Sequence, residues 1–227
     1  MKDDTAEFLQ AVATGDLPRV ETMLRDHTLA SAATPDGEPA LLLALHKGHR
    51  AVAHAIASRR SQLAVYELAA LGDVERLRAA LERQPDLVNQ RAPGGHTAIG
   101  LATLFAHQPV IELLLAKGAD PSLAAESESR VTPLHSAAGF GQPGVALAMV
   151  HVLLNSGANP NVRAQGGWTP LHTAAAFGYR DVCAILVSCG ADPSAPTDNG
   201  KTPAQVAEEL GFSGVAGWLA RATAPPA

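Results

Sequence analysis

The chain has 227 residues, enough for one large domain or two small ones with a sizeable core. Apolar residues make up 47% of it and aromatic residues only 4%, a mixture that suits closely packed helices better than a β-sandwich. The formal charge of -5 and the lack of clustered Lys and Arg argue against nucleic acid as a partner.

The first predicted helices lie in residues 7–24 and 39–57. Each stretch is amphipathic and is interrupted by a Gly, Gly15 or Gly48, which predicts two pairs of short helices. After the second pair the chain runs through residues 58–62 straight into another helix near Leu63, without a connecting loop of the usual length. We therefore predict that residues 1–62 form an N-terminal pair of degenerate repeats, and that residues 63–222 form a main array with a C-terminal capping repeat.

A repeated motif is clearest in the second half of the chain. TPLHSAA at residues 132–138 and TPLHTAA at residues 169–175 are nearly identical, and each is followed by a Gly, Gly141 or Gly178. Thr at a helix entry accepts hydrogen bonds from unpaired backbone N–H groups, and Pro is tolerated at the first helical position. The Gly ends this first helix, and a second amphipathic helix then leads to a Gly-Ala-Asp-Pro or Gly-Ala-Asn-Pro turn.

The motif, the Gly and the turn together resemble the ankyrin repeat. Weaker copies recur at intervals of roughly 33 residues, as this resemblance implies. The positions that correspond to the motif Thr are Ala6, Pro39, Leu63, Thr97, Thr132, Thr169 and Thr202. The resemblance covers nearly the whole chain and implies an all-α solenoid of about seven stacked helix pairs, joined by short hairpin-like loops that we call fingers. Residues 223–227 are expected to be a disordered tail.

Two segments depart from the repeat by being longer. Residues 123–130 lengthen one finger and place Arg130 where the other fingers have Gly. The segment at residues 142–147 contains an insertion of four residues at the start of a second helix. Insertions in a solenoid generally emerge as surface loops, and these are interpreted either as part of a binding face or as neutral variation.

The resemblance implies that partners contact the finger tips and the concave face made by the first helices. The residues just before the motif Thr are His96, Val131, Trp168 and Lys201, and three phenylalanines share the register before the motif Gly: Phe105, Phe140 and Phe177. An exposed apolar row of this kind marks an interaction site, with Glu126 and Glu128 as a polar rim. Alternatively, the phenylalanines belong to the core between neighbouring helices.

No catalytic motif, metal site or cofactor site is predicted. The chain has no phosphate-binding Gly-rich loop, no GxSxG and no HExxH. The resemblance implies that His135 and His172 bond neighbouring fingers. Cys183 and Cys189 are interpreted as unpaired thiols in a reducing compartment.

The location is expected to be cytoplasmic. The opening residues lack the apolar stretch of a secretory signal, and the sequence has no apolar run of the length that spans a membrane. The Ala-rich, Lys-poor composition favours a GC-rich bacterial source.

The leading hypothesis is a non-catalytic, monomeric module that binds a partner protein in its groove and needs no cofactor. A rival is an inhibitor or immunity-type protein that blocks an enzyme's active site with the finger at residues 123–130. A third possibility is an enzyme or ligand carrier with a pocket near residues 45–75, where the N-terminal pair meets the main array. A repeat fold presents a surface and does not by itself identify the partner.

Overall fold

A computed structural model describes residues 2–222. Within these residues there are fourteen α-helices, three 3-10 helices and two isolated β-bridges. The α-helices are α1 (Lys2–Thr14), α2 (Leu17–Met23), α3 (Ala40–His46), α4 (Arg50–Ser58), α5 (Val65–Leu71), α6 (Val74–Arg83), α7 (Ala98–Leu104), α8 (Gln108–Ala116), α9 (Pro133–Ala138), α10 (Pro143–Asn155), α11 (Pro170–Ala176), α12 (Arg180–Ser188), α13 (Pro203–Glu209) and α14 (Ser213–Ala222). The 3-10 helices are η1 (His27–Ser31), η2 (Pro85–Asn89) and η3 (Gln165–Gly167). The predicted all-α class is confirmed, and the predicted disordered tail, residues 223–227, lies outside the described residues.

The helices form seven pairs that stack in two layers. Each odd-numbered helix packs on the even-numbered helix that follows it. The first helices of successive pairs pack on one another all along the chain, and second helices pack on second helices, as α6 does on α8 and α10 on α12. The predicted solenoid of about seven helix pairs is therefore confirmed.

A Thr and a His cap the first helix in the two best copies of the motif. At α9, His135 N–H donates to Thr132 Oγ1 (3.4 Å), while Thr132 N–H donates to Nδ1 of the His135 ring (3.3 Å). The other ring nitrogen, Nε2, donates to the carbonyl of Trp168 in the next finger (3.1 Å). Thr169 and His172 repeat this arrangement at α11. One neutral imidazole thus caps its own helix and bonds the next repeat.

Burial keeps these imidazoles neutral. It lowers the pKa of His135 to about 4, against the weaker opposing effect of the bond to the Trp168 carbonyl, and it also lowers the pKa of His172. A protonated ring would carry a proton on Nδ1, which is the atom that accepts the bond from the Thr132 N–H. Protonation would therefore break the bond from the Thr132 N–H and place a charge in a buried site, and both effects disfavour it.

The turn between the two helices of a pair sets the contact with the following pair. Gly72 has a left-handed backbone (φ 79°), and the His107 ring of the next pair lies so close that a Cβ on Gly72 would be 2.7 Å from its Nδ1. His107 Nε2 also donates to the carbonyl of Ala70 (3.0 Å). At Gly178 the ring above the glycine is that of Phe212. Gly is required at these places both by the backbone and by the close ring.

The expected surface loop at residues 142–147 is wrong. Helix α10 begins at Pro143 and has 13 residues, whereas α8 and α12 have 9 each, so the inserted residues lengthen a helix. Pro143 fits the first turn, and Ala146 is fully buried beneath it. The turn before α10 also differs from the turn before α12, since Gly178 has a left-handed backbone and Gly141 does not.

The fingers of the main array are held together by hydrogen bonds between loops. Asn89 Oδ1 accepts from the Asp120 N–H (2.9 Å), and Ser122 Oγ accepts from the Asn159 N–H (2.9 Å). Further out, the Gly95 carbonyl accepts from the N–H of Glu126 (3.0 Å). Each finger therefore fixes the position of the next one.

No finger separates α4 from α5. The connection is residues 59–64, and it is closed by Glu67, which is 1% exposed and ion-paired with Arg60. Glu67 Oε2 also accepts from the Ala64 N–H (2.8 Å), so Glu67 occupies the capping position that His135 takes in α9. Most buried apolar residues before this connection form one cluster and most of those after it form another. These features support the boundary between residues 62 and 63, which we keep as a proposal.

Arg130 stands in a backbone conformation that the other fingers give to Gly. Its φ is 48°, and the corresponding glycines have φ values of 85°, 80°, 76° and 77°: Gly37, Gly95, Gly167 and Gly200. A residue with a Cβ is strained in this region by about 1–2 kcal/mol. The longest finger of the array therefore carries backbone strain that the others lack.

We expect Arg130→Gly to stabilise the protein. Relief of the strain exceeds the extra entropy that Gly gains in the unfolded chain, so the free energy of unfolding should rise by about 0.5–1 kcal/mol. Urea denaturation measures this change. Glu128→Gly is the matched control, because Glu128 lies in the same finger without a left-handed backbone and should lose stability. A lower stability for Arg130→Gly would contradict the expectation.

We expect His135→Gln to reduce the loss of stability in acid. Between pH 6.5 and about 4 the unfolded chain binds a proton at this ring that the folded chain does not bind, so stability falls as the pH falls through this window. The fall from one such ring is at most about 3 kcal/mol. Gln retains the cap, since Gln205 Oε1 accepts from the Thr202 N–H at 2.9 Å at the entry of α13.

Urea denaturation of both proteins near pH 7 and near pH 5 checks this expectation. The variant should be the less stable protein near pH 7, where it lacks the bond to the Trp168 carbonyl, and the two should converge in acid. Equal losses of stability on acidification would show that His135 does not titrate as its burial requires.

Candidate functional site

The predicted partner-binding residues lie along the exposed side of the first helices. We call this surface the first-helix face: the exposed side of α3, α7, α9, α11 and α13, together with the residue that precedes the N-cap of each. Those preceding residues are Glu38, His96, Val131, Trp168 and Lys201. Glu38 and Lys201 each contact the last residue of the helix that they introduce, and His96 lines a groove with the last residue of α7.

At each end of the first-helix face a charged side chain, Glu38 or Lys201, contacts a polar partner at the end of its helix. At one end Glu38 Oε1 lies 2.5 Å from Nδ1 of His46, the last residue of α3. At the other end Lys201 Nζ lies 2.6 Å from Oε2 of Glu209, the last residue of α13. Both pairs are exposed, so each contributes little to stability.

The middle of the face is apolar at the same positions. His96 and Val131 line one shallow groove together with Leu104, the last residue of α7. Burial, together with the nearby His46, lowers the pKa of His96 and so favours its neutral form. In the next repeat the half-buried Trp168 ring lies 5.7 Å from the His172 ring, centroid to centroid. His96, Val131 and Trp168 therefore form a neutral stretch between charged ends.

The three phenylalanines differ in exposure. Phe105 is half-buried and stacks on His46, with ring centroids 5.6 Å apart. Phe140 is half-buried and packs against the main core. Phe177 is 46% exposed and rests on Tyr179 (5.6 Å) and on the end of α9. The core interpretation thus applies best to Phe140, and the surface interpretation applies best to Phe177.

Glu126 and Glu128 lie on the long finger and are exposed. The Glu126 side chain is 72% exposed and its Oε1 lies 3.1 Å from Nε of Arg91. Arg91 also donates to the carbonyl of Ala124 (2.7 Å), so it bonds the long finger to the finger before it. Glu126 therefore takes part in a contact between two neighbouring fingers, whereas Glu128 is exposed on the long finger.

Three exposed apolar side chains were absent from the predicted set. Leu104 is 40% exposed, Leu210 is 55% exposed and Phe212 is 38% exposed. Leu104 stands two residues before the motif Gly position, and Leu210 occupies the register of Phe177, so the same alignment of repeats could have found both. Phe212 had no such signal, because its register in the other pairs belongs to residues such as His107.

The described residues show little that would support catalysis or metal binding. Within residues 2–222 no three His, Cys, Asp or Glu side chains are grouped so that they could hold a metal ion. Both cysteines are unpaired; burial raises the pKa of Cys183 to about 12, which disfavours a reactive thiolate, and Cys189 is exposed. Among the helices of residues 2–222, none has the length and apolar character needed to cross a membrane.

Comparison with known proteins agrees with this architecture. The family model of ankyrin repeats in three copies matches residues 61–164 and 144–225. The chain belongs to the ankyrin-repeat family. Ankyrin repeats are generally protein–protein interaction modules and are typically non-catalytic.

The matched relatives are much longer proteins. The E3 ubiquitin-protein ligase Ufd4 of Drosophila melanogaster is 39% identical over 119 residues, which are 51% of this chain and 4% of that protein. The human neurogenic locus notch homolog protein 4 is 48% identical over 56 residues, 25% of this chain and 3% of that protein. The human NAD-capped RNA hydrolase NUDT12 is 35% identical over 78 residues, 34% of this chain and 16% of that protein. The chain therefore matches only a small part of each of them.

Proposed function

We propose that this ankyrin-repeat protein binds a partner protein through the middle of its first-helix face. The observation that carries the proposal is the pattern along that face, where Glu38 and Lys201 at the two ends flank the neutral stretch of His96, Val131 and Trp168, beside which lies the 46% exposed Phe177. Aromatic side chains surrounded by polar groups are typical of binding hot spots. Phe105 and Phe140 border this stretch, and Lys201 and the two finger glutamates form its rim.

Other residues carry most of the stacking of the solenoid. Stacking is carried by buried residues such as Leu134 and Leu171, which are 1% and 0% exposed, and by the loop bonds of the fingers. Phe177 and Leu104 keep about half of their surface in contact with solvent in spite of this packing. An exposed apolar surface that stability does not require supports a role in binding.

The partner has a matching chemistry. It presents an apolar segment to the centre of the face, a cationic group near Glu38 and an anionic group near Lys201. Binding of this kind needs no cofactor and no catalytic group. We propose accordingly a non-catalytic, cytoplasmic module that acts as a monomer.

We expect Trp168→Ala combined with Phe177→Ala to abolish partner binding with little effect on folding. Loss of two hot-spot aromatics should weaken binding by about thirtyfold or more. The partner is first captured from native lysate and identified by mass spectrometry, and its affinity for each variant is then measured by calorimetry. Circular dichroism and urea denaturation test whether the variant still folds.

The matched control replaces two exposed side chains on the second-helix side, Lys117→Ala just after α8 with His151→Ala in α10, and should bind as the unaltered protein does. Unchanged affinity of the aromatic double variant would refute the proposed face. Unfolding of that variant would show that both aromatics are structural, and Leu104→Ser, at a 40% exposed side chain, would then test the face alone.

A further inference from the structure

The absent finger leaves a cleft of about 840 Å³ on the other side of the solenoid. The cleft lies between the α4–α5 connection on one side and α6 with η2 on the other. Its lining includes α6, which is the second helix of the third pair, and the base of the following finger, so the cleft is separate from the first-helix face. Its volume is typical of ligand sites.

The position of the cleft corresponds to the space that a finger turn fills in later repeats. There the Ala of each Gly-Ala-Asp-Pro or Gly-Ala-Asn-Pro turn is nearly buried, with 4–6% exposure at Ala119, Ala158 and Ala191. After α4 there is no such turn. The second pair thus lacks the loop that would cover the base of the finger at residues 84–97.

The backbone of that finger shows the effect of lacking a neighbour. In later fingers the N–H of Asp120, and likewise that of Asn159, donates to a side chain of the preceding finger. Leu87 has the same register, yet its N–H donates to the carbonyl of Gln84 within η2 (3.2 Å). Leu29, in the first finger, does the same within η1. A 3-10 turn therefore forms where no preceding finger supplies an acceptor.

The walls of the cleft are basic and its floor is apolar. Arg60, Arg76 and Arg83 line it, whereas no Asp or Glu does so. Arg60 is ion-paired with the buried Glu67, and Arg76 lies 3.8 Å from Asp73 of its own turn. Leu63, Leu68 and Leu87 supply apolar surface.

Two guanidinium groups remain open to a ligand. Arg76 is 43% exposed and its contact with Asp73 is long, and Arg83 has no carboxylate within ion-pair distance among residues 2–222. Such groups bind carboxylates by paired hydrogen bonds. The net charge of the whole chain is -5, so this cleft is a local exception to an acidic protein.

One buried acceptor at the same place has no partner. Oε1 of Gln90 is inaccessible to solvent and accepts no hydrogen bond, alone among the buried side-chain nitrogen and oxygen atoms of residues 2–222. Gln90 lines the cleft. An unpaired buried acceptor is costly, so a turn of the Gln90 side chain that brings Oε1 to the surface of the cleft and to an N–H or O–H donor of a ligand would be favourable.

We propose that the cleft binds an acidic, extended peptide segment of a partner protein, which takes the place of the absent finger. Its carboxylates pair with Arg76 and Arg83, an apolar side chain covers the leucine floor, and a backbone N–H donates to Gln90 Oε1 once that side chain has turned toward the cleft. A peptide combines these three features, whereas inorganic phosphate supplies only the anion. The proposal does not depend on binding at the first-helix face.

The test is selection of a displayed library of random peptides on the full-length chain. The selected peptides should be rich in Asp and Glu next to an apolar residue. A selected peptide is then synthesised with a fluorophore, and its affinity for each variant is measured by fluorescence polarisation. Arg76→Gln with Arg83→Gln should weaken binding by about tenfold or more, because two charge-assisted contacts are lost.

Matched variants separate binding in the cleft from a general effect of charge and from binding at the first-helix face. Arg78→Gln with Arg25→Gln removes the same charge from exposed arginines that do not line the cleft, and Trp168→Ala with Phe177→Ala removes the first-helix site; both should leave the affinity unchanged. Gln90→Leu should weaken peptide binding and yet raise the urea midpoint of the free protein, since the replaced oxygen has no bond to lose. If Gln90 had only a structural role, its replacement would not weaken peptide binding while raising the urea midpoint.

Three outcomes would overturn the proposal. They are a selection that enriches no acidic peptides, an affinity that the Arg76→Gln and Arg83→Gln changes leave intact, and displacement by inorganic phosphate at the same concentration as an unlabelled peptide. The last outcome would identify a site for the anion alone. The two proposals can fail separately. Partner binding at the first-helix face can be absent while peptide binding in the cleft is present, or the reverse.

Discussion

Each helix pair of this protein leaves one side apolar and open, and only the neighbouring pair covers it. The contact is made specific by two polar details. The neutral ring of His135 caps its own helix and donates to the carbonyl of Trp168 in the next finger, and the ring of His107 covers Gly72 of the preceding pair while donating to Ala70. Because the partners of each bond come from adjacent repeats, neither bond can form in an isolated pair. Stacking and hydrogen bonding are therefore lost or gained together.

The connection between α4 and α5 departs from this pattern, and its chemistry changes with it. Glu67 replaces the motif His and caps α5 with a charged group, so burial now requires an opposite charge, which Arg60 supplies. A neutral imidazole would reach outward to the next finger, whereas Glu67 is paired with a residue of the connection itself. The finger that follows this pair, residues 84–97, is present, and the absent finger is the one before α5, so the ion pair ties α5 to the connection that stands in that finger's place. The absence of that finger leaves Arg76 and Arg83 of α6 beside an open cleft.

Much of the fold could be predicted from the sequence, because the motif residues have local reasons to be where they are. Thr132 and Thr169 cap helices, Pro follows each of them, and Gly178 is left-handed with a ring above it. The shortened connection after residue 57 was equally visible, since it follows from spacing. The fate of residues 142–147 was not, because an insertion that begins with Pro and continues with good helix formers can extend a helix as readily as it can form a loop.

The candidate site was only partly predictable for a different reason. Alignment of the repeats gives the register of a side chain, but exposure depends on what other repeats place beside it. Phe105 lies against His46 of α3, two pairs earlier, whereas Phe177 lies against Gly139 of the preceding pair, and Gly offers too little surface to cover a phenyl ring. The cleft could not have been described from one repeat at all, since its walls come from a connection, a helix and a finger base.

The positions used for stacking and the positions on the first-helix face are largely different, and this separation has a physical consequence. A change at Leu134 or His135 alters contacts with both neighbours and so affects the whole stack, whereas a change at Val131 or at the exposed edge of Phe177 alters mainly the surface. Along one face the chain can thus carry charged side chains at the ends and mostly apolar residues in the centre with little change to its buried core. The proposed contact with a partner accounts for the apolar centre.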